Sequence, residues 1–183
     1  MLSRKKSVRN SLICGLIAIA TFIGIGLAAS AQEAPGSAEI DYDGFMELSG
    51  EVWELRANRL LTLEDFNAMA AESNTIILDA RSRYAFDMGH IAGAVNLPFS
   101  DFTDEKLAEV IPNRDTRVLI YCNNNFTDDA EPIPLKRISL ALNIPTFINL
   151  YGYGYENIYE LGVLTETTHP DVDWIALEPQ YEN

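Results

Sequence analysis

The sequence contains only two cysteines among its 183 residues, Cys14 and Cys122. Cys14 lies in an apolar segment near the start of the chain that has the plan of a signal peptide. Removal of that segment leaves Cys122 as the only thiol and excludes an internal disulfide. A leftover cysteine in an exported protein pairs with another molecule or reacts. The alternative is a small buried hydrophobic residue, which is a common role for free cysteine.

Histidine is equally scarce, and several nucleotide-binding and hydrolase motifs are missing. His90 and His169 do not combine with Cys122 at any spacing typical of a metal site. The sequence has no glycine-rich phosphate loop and no Gly-x-Ser-x-Gly elbow for a serine nucleophile. We therefore expect neither a bound metal nor a cofactor, and we interpret His90 as a structural histidine of a turn.

Basic residues are rare beyond position 31, where nine stand against 27 acidic residues. Such a surface repels nucleic acid and anionic membranes, so we expect no nucleic-acid partner. The other four basic residues lie within the first ten positions, ahead of an uncharged apolar run over residues 11–27 and the small residues 29–31. This order predicts a signal peptide over residues 1–31, cleavage before Gln32, and export to the periplasm or another extracytoplasmic compartment.

An uncleaved anchor is the alternative, since an apolar run of about 17 residues is at the short limit for a bilayer span. Uncleaved, this segment would be the only contact of the chain with a membrane. Residues 32–58 are predicted to be a linker followed by a helix that Asp41 or Asp43 caps. The apolar face of that helix consists of Phe45, Leu48, Val52 and Leu55.

A short apolar strand over residues 118–121 ends at Cys122, and three asparagines follow it. Asparagine tolerates turn conformations and bonds to its own backbone, so the chain is expected to turn here. Open α/β sheets place their ligands beyond the carboxyl ends of their strands. Loop N–H groups converging on the sulfur at that place would favour its anionic form.

The remaining pattern alternates strands with helices. Residues 59–61 and 76–78 are predicted strands, and the second ends at Asp79, which is placed to pair with Arg81. Thr62 is expected to cap one helix, and Asp101 or Thr103 another. After Cys122 we predict a helix from near Pro134, broken at residues 143–145, and a second helical piece over residues 146–151.

Three segments resemble the rhodanese (sulfurtransferase) family, together covering about residues 60–162. They are Ile77-Leu78-Asp79-Ala80-Arg81 followed by Gly89-His90-Ile91-Ala92-Gly93-Ala94-Val95-Asn96-Leu97-Pro98, Val118-Leu119-Ile120-Tyr121-Cys122, and Gly154-Tyr155-Glu156-Asn157-Ile158-Tyr159-Glu160-Leu161-Gly162. The resemblance implies an α/β fold, a rhodanese-like three-layer domain with a central mostly parallel sheet flanked by helices. We place this domain at residues 59–164 and a C-terminal tail at 165–183.

The resemblance also implies that Cys122 is the catalytic residue, which accepts a sulfane sulfur as a persulfide and passes it to a nucleophilic acceptor. The expected partners are a small sulfur-containing substrate or an acceptor thiol. The residues expected to bind the substrate are those of the following loop, Asn123, Asn124, Asn125, Phe126 and Thr127.

This loop departs from the family pattern, in which a six-residue loop closes with an arginine. Thr127 takes the place of that arginine, and the acids Asp128, Asp129 and Glu131 would raise the pKa of the thiol and repel an anionic donor. The loop is also long. One interpretation is a different pocket, with Lys136 or Arg137 folding back; another is a non-catalytic module that binds a partner protein through the loop.

Phosphatase or arsenate reductase chemistry, which this fold also supports, is disfavoured by the same loop. Asp128 stands where the arginine that holds the oxyanion would fall.

Overall fold

Short parallel strands form the central sheet, and two further strands form a separate antiparallel ribbon. The computed structural model describes residues 38–128 and 135–176, so the predicted signal peptide lies outside the described residues. The strands within them are β1 Leu60–Leu61, β2 Thr75–Asp79, β3 Gly89–Ile91, β4 Ala94–Asn96, β5 Arg117–Tyr121, β6 Ile158–Leu161 and β7 Trp174–Ala176. The sheet has the order β1-β6-β5-β2-β4 and is parallel throughout, and β3 pairs with β7.

The α-helices alternate with the strands, and short 3-10 turns connect them. The helices are α1 Tyr42–Ala57, α2 Leu63–Ala70, α3 Arg83–Met88, α4 Asp104–Val110 and α5 Asn143–Gly152. The 3-10 turns are Phe99–Asp101, Asn123–Asn125 and Ile138–Leu140. Among the described residues, no helix combines the length and the apolar character that a membrane crossing needs.

Side-chain caps begin three of the helices where the sequence predicts them. The Asp41 carboxylate accepts a hydrogen bond from the N–H of Gly44 at 2.8 Å and caps α1. The Thr62 and Thr103 hydroxyls accept from N–H groups in the first turns of α2 and α4, at 3.1 and 3.2 Å. Each cap satisfies a backbone donor that has no partner inside its own helix.

Successive side chains of β5 point to opposite faces of the sheet, and each face carries its own apolar cluster. Val118 and Ile120 join the apolar cluster that helices α1, α4 and α5 cover. Leu119 and Tyr121 point to the opposite face, where they join a cluster that includes Phe66 of α2. A strand that is buried on both faces has a continuous apolar sequence, as β5 does. The predicted three-layer α/β architecture is therefore confirmed.

The C-terminal tail predicted from residue 165 contains the strand β7. This strand pairs with β3 so that Trp174 lies opposite Ile91. The Trp174 ring packs against Phe126, with ring centroids 4.9 Å apart, and against Tyr121 at 6.4 Å. The ribbon thereby covers the part of the sheet that lies beneath the loop after Cys122.

The prediction of a helix from near Pro134 is wrong for the residues that the structure describes. Residues 135–142 contain only the 3-10 turn Ile138–Leu140, and α5 begins at Asn143. Pro145, predicted to break the helix, lies in the first turn of α5. The backbone nitrogen of a first-turn residue has no intrahelical partner, so proline is tolerated there.

Candidate active site

Cys122 lies directly after β5, at the edge of the sheet where the parallel strands end. A pocket of about 510 Å³ opens at this edge, and Cys122 lines it although only 2% of the residue is exposed. The segments after β2, β4 and β5 and the segment leading into α5 form its walls. The other lining residues are Ala80, Arg81, Ser82, Arg83, Tyr84, Ala85, Pro98, Phe99, Ser100, Asp101, Asn123, Asn124, Lys136 and Leu142.

The three asparagines form a tight 3-10 turn, as the sequence predicts. The N–H of Asn125 donates to the carbonyl of Cys122 at 3.0 Å, and the Asn125 side-chain oxygen accepts from the N–H of Cys122 at 2.9 Å. The same amide donates to the carbonyls of Leu161 and Val163 at 2.7 and 3.1 Å. Asn125 therefore fixes the cysteine backbone against the end of β6.

Asn123 and Asn124 line the pocket and are each held by a different segment. The side-chain oxygen of Asn123 accepts from the Arg81 guanidinium at 2.9 Å. The Asn124 amide donates to the carbonyl of Lys136 at 2.7 Å, and its oxygen accepts from the Lys136 N–H at 3.2 Å. This reciprocal pair brings Lys136 to the pocket wall, whereas Arg137 is not part of it.

The Cys122 sulfur experiences opposing electrostatic influences. Burial raises the pKa of its thiol, and the carboxylate of Glu160 raises it further. The backbone N–H groups of Asn143, Asn124 and Leu142 face the sulfur and lower its pKa, but the balance stays above the ordinary value. Two of these three N–H groups come from the start of α5 and not from the loop itself. Backbone donors therefore favour the sulfur anion, but burial outweighs them and the anion is disfavoured at neutral pH.

Phe126 and Thr127, predicted to bind the substrate, do not line the pocket. Phe126 is fully buried in the apolar cluster on the other face of the sheet. Thr127 pairs with Thr165, donating its N–H to the Thr165 carbonyl at 3.0 Å. The N–H groups of Asn125 and Phe126 are likewise bonded to carbonyls within the turn. Of the five predicted binding residues, Asn123 and Asn124 are the two that reach the pocket.

The acids that follow the loop were expected to raise the pKa of the thiol. Asp128 is turned toward the C-terminal segment, where its carboxylate accepts from the N–H groups of Thr167 and Thr168 at 2.6 and 3.2 Å. Asp129 and Glu131 lie outside the described residues. The acid that faces the sulfur is Glu160 of β6. Asp128 therefore anchors the chain beyond β6.

A buried ion pair supports the opposite wall of the pocket. The Arg81 guanidinium donates to the Asp79 carboxylate at 2.6 Å, as the sequence predicts, and to the carbonyl of Gly89, also at 2.6 Å. The Tyr121 hydroxyl donates to Asp79 at 2.6 Å and accepts from the N–H of Ile91 at 3.2 Å. His90 stacks on Phe86, which agrees with its interpretation as a structural residue.

The model of the rhodanese-like domain family matches residues 62–161, which is more than half of the chain. The chain belongs to this family. The match begins at the cap of α2 and ends with β6, so it contains the whole central sheet except Leu60 and Leu61 themselves. Cys122 directly follows β5, the central strand of that sheet.

Several sulfurtransferase and RNA-modifying proteins are similar to this rhodanese-like chain. An adenylyltransferase and sulfurtransferase of Sclerotinia sclerotiorum is 25% identical over 122 residues, which are 63% of this chain and 27% of that protein. A tRNA uridine(34) hydroxylase of Onion yellows phytoplasma is 25% identical over 122 residues, 61% of this chain and 33% of that protein. The chain thus spans about a quarter to a third of the length of these curated relatives.

Solved rhodanese-type structures are similar at lower identity. Thiosulfate sulfurtransferase from Pseudomonas aeruginosa is 24% identical with a TM-score of 0.44, over 64% of this chain and 20% of that chain. A rhodanese-like domain from Anabaena sp. is 18% identical with a TM-score of 0.46, over 65% of this chain and 80% of that chain.

Sequence reasoning missed a group of polar residues near the cysteine that come from α1, α5 and β6 of this rhodanese-like chain. Asn143 of α5, Glu160 of β6 and Arg56 of α1 lie far apart in sequence. Glu160 offers one signal, because an acid within the apolar strand Ile158–Leu161 needs a buried partner. The sequence alone does not name that partner.

Proposed function

We propose that this rhodanese-like domain is a sulfurtransferase that carries a sulfane sulfur as a persulfide on Cys122. The observation that carries the proposal is the position of Cys122 at the wall of a pocket directly after β5, where the backbone N–H groups of Asn143, Asn124 and Leu142 act to lower the pKa of its thiol. Backbone donors of this kind stabilise an anionic sulfur without adding a titratable group. The similarity to an adenylyltransferase and sulfurtransferase supports the same chemistry.

The proposed reaction has two balanced steps. The Cys122 thiolate attacks the outer sulfur of a sulfane donor such as thiosulfate, so that a new S–S bond forms while the donor's S–S bond breaks and sulfite leaves with the bonding pair. An acceptor thiolate then attacks the outer sulfur of the persulfide and releases the Cys122 thiolate. The N–H groups facing the sulfur would hold the negative charge of the persulfide between the steps.

The pocket walls support a small sulfur compound with an apolar portion as the substrate. Tyr84, Phe99 and Leu142 supply apolar surface, and Lys136 supplies a cation that would attract an anionic donor. Arg81 is committed to Asp79 by a buried ion pair and is less able to turn toward a ligand. This chain thereby offers an ammonium group at its pocket where the family pattern places a loop arginine.

Export is part of the proposal and is supported by the N-terminal sequence alone. A positive region, an apolar run and small residues before Gln32 are the features that signal peptidases recognise. In an extracytoplasmic compartment the persulfide would be exposed to oxidants, and its burial at Cys122 would protect it.

A non-catalytic module that binds a partner protein is the second candidate function. Three apolar side chains at the end of the long loop favour it, since Leu135, Ile138 and Leu140 are 57%, 89% and 63% exposed. The raised pKa of the Cys122 thiol favours it too, because a protonated thiol is a weak nucleophile. In this function the loop would contact the partner and Cys122 would be a buried residue.

Intact-mass measurement after incubation with thiosulfate or polysulfide tests the proposed function. We expect an adduct of about 32 Da, one sulfur atom, that a reducing thiol removes. The variant Cys122→Ser should show no adduct, and the same spectra report whether the chain isolated from cells begins at Gln32. Absence of the adduct with every donor tried, in a folded protein, would favour the binding module.

A further inference from the structure

Glu160 is a buried carboxylate beside the cysteine that the proposed reaction does not use. It lies in the middle of the apolar strand β6 and is 5% exposed. Its negative charge acts on Cys122 and disfavours the thiolate. An isolated buried carboxylate is costly, so its presence beside a reacting sulfur calls for a compensating cation.

Arg56, at the end of α1, supplies that cation through a two-pronged contact. Its Nε donates to Glu160 Oε2 at 2.7 Å, and its Nη2 donates to Oε1 at 2.6 Å. The Arg56 side chain is 30% exposed, whereas that of Glu160 is 7% exposed, so the guanidinium covers the carboxylate from the solvent side. Paired donors of this geometry hold a carboxylate in one orientation.

Asn143 connects this ion pair to the sulfur. Its side-chain amide donates to Glu160 Oε1 and to the Asn125 side-chain oxygen, both at 3.2 Å. That Asn125 oxygen also accepts from the N–H of Cys122. The backbone N–H of Asn143 meanwhile faces the sulfur. One continuous hydrogen-bonded path therefore runs from α1 to the cysteine backbone.

We propose that Arg56 is a positioning residue that keeps Cys122 reactive, because its guanidinium offsets the charge of Glu160 and fixes the carboxylate to which the Asn143 side chain donates. Arg56 lies outside the residues that the family model matches. It thus compensates from α1 for the arginine that the loop after Cys122 lacks. The proposal concerns the reactivity of the thiol and rests on the proposed function only in taking Cys122 as the reacting group.

Other charged groups that line or border the pocket form ion pairs of their own, apart from Lys136. Arg81 pairs with Asp79, Arg83 with Asp87 and Asp101 with Lys106, and Lys136 lines the pocket. None of these pairs includes Arg56. A change in thiol titration after substitution of Arg56 is therefore assigned to the contact with Glu160.

The pH dependence of Cys122 alkylation by iodoacetamide tests the proposal on the full chain. Arg56→Gln should shift the midpoint up by about one pH unit and slow alkylation at pH 7 about tenfold, since it leaves Glu160 uncompensated. Glu160→Gln should shift the midpoint down, and Arg56→Gln combined with Glu160→Gln should return it near the wild-type value. Alkylation needs no sulfur donor, so this result is independent of whether a persulfide forms.

Arg59→Gln is the matched control. The Arg59 guanidinium lies over the Tyr159 ring, 4.5 Å from the ring centroid. The midpoint of Cys122 alkylation in Arg59→Gln should equal that of the wild type. An Arg56→Gln midpoint equal to that of Arg59→Gln in a folded protein would overturn the proposal. If Arg56→Gln does not fold, Glu160→Gln decides, and an unchanged or raised midpoint in that variant rejects the proposal.

Discussion

At the scale of single residues, Asp79 and Arg81 place two full charges where water is excluded. Their side chains are 0% and 3% exposed, and the Tyr121 hydroxyl and the Gly89 carbonyl are among their hydrogen-bond partners. A buried pair contributes little net stability when both charges are present. Loss of one partner leaves the other charge buried without compensation. This asymmetry makes Asp79 a structural residue at the edge of the pocket.

Asp79→Asn should therefore lower the free energy of unfolding by about 3 kcal/mol, because it removes one charge of a buried ion pair. Urea unfolding monitored by circular dichroism measures this loss. Asp87→Asn is the control, since the Arg83–Asp87 pair is exposed and should contribute less than about 1 kcal/mol. Equal losses in the two variants would contradict the role assigned to burial.

At the scale of elements, the ribbon of β3 and β7 fits closely because position 89 has no side chain. A Cβ atom added to Gly89 would lie 2.6 Å from Nε1 and 2.9 Å from Cε2 of Trp174. The indole ring is rigid and packs on Phe126, so it has little freedom to retreat. A methyl group at position 89 would therefore push β7 away from β3.

Gly89→Ala should destabilise the fold by about 1–3 kcal/mol through this overpacking. Gly50→Ala is the matched control in the interior of α1, where an added Cβ meets nothing within 4 Å. That substitution should stabilise the protein by about 0.5–1 kcal/mol, since alanine loses less backbone entropy in a helix. Thermal unfolding compares the two variants, and the opposite order of stabilities would refute the packing described for Trp174.

At the scale of the whole molecule, the two apolar clusters share the strands of one sheet, so the domain should unfold as a cooperative unit. Its stability then depends on every group whose pKa changes on folding. Burial raises the pKa of Cys122 in the folded protein. Burial beside Asp79 likewise raises the pKa of Tyr121.

The free energy of unfolding should consequently fall as the pH rises above about 8.5, the pKa of an unfolded thiol. Between that value and the folded pKa, the unfolded chain loses the Cys122 proton while the folded chain keeps it, so alkali favours unfolding. The loss should approach about 1.4 kcal/mol per pH unit. Urea unfolding between about pH 7 and pH 9.5 measures it, and Cys122→Ser should flatten the curve. An identical slope in that variant would show that the thiol does not titrate as described.

Local patterns predict much of this fold because they concern neighbouring residues. The caps at Asp41, Thr62 and Thr103 follow from residues three positions apart, and the Asp79–Arg81 pair from two residues after one strand. The position of Cys122 follows from the apolar strand before it. These features depend on contacts between residues only a few positions apart, so the local sequence is enough to predict them.

The features that sequence reasoning missed depend on contacts between distant segments. Strand β7 is three residues long and is defined by its pairing with β3. The contact between Arg56 and Glu160 joins residues 104 positions apart. The asparagine loop was predicted to supply the N–H groups around the sulfur, yet Leu142 and Asn143 supply two of them. Tertiary packing, which no local pattern encodes, decides each of these.

The contact between Arg56 and Glu160 also determines when, during synthesis of the chain, the environment of the Cys122 thiol can form. Arg56 and Cys122 are synthesised before Glu160, which lies 104 positions beyond Arg56 in the sequence. A nascent chain that has not yet added β6 has neither the carboxylate nor its anchored guanidinium. It also lacks the Leu161 and Val163 carbonyls that fix Asn125. The thiol therefore acquires its final environment only when nearly all of the domain has been synthesised.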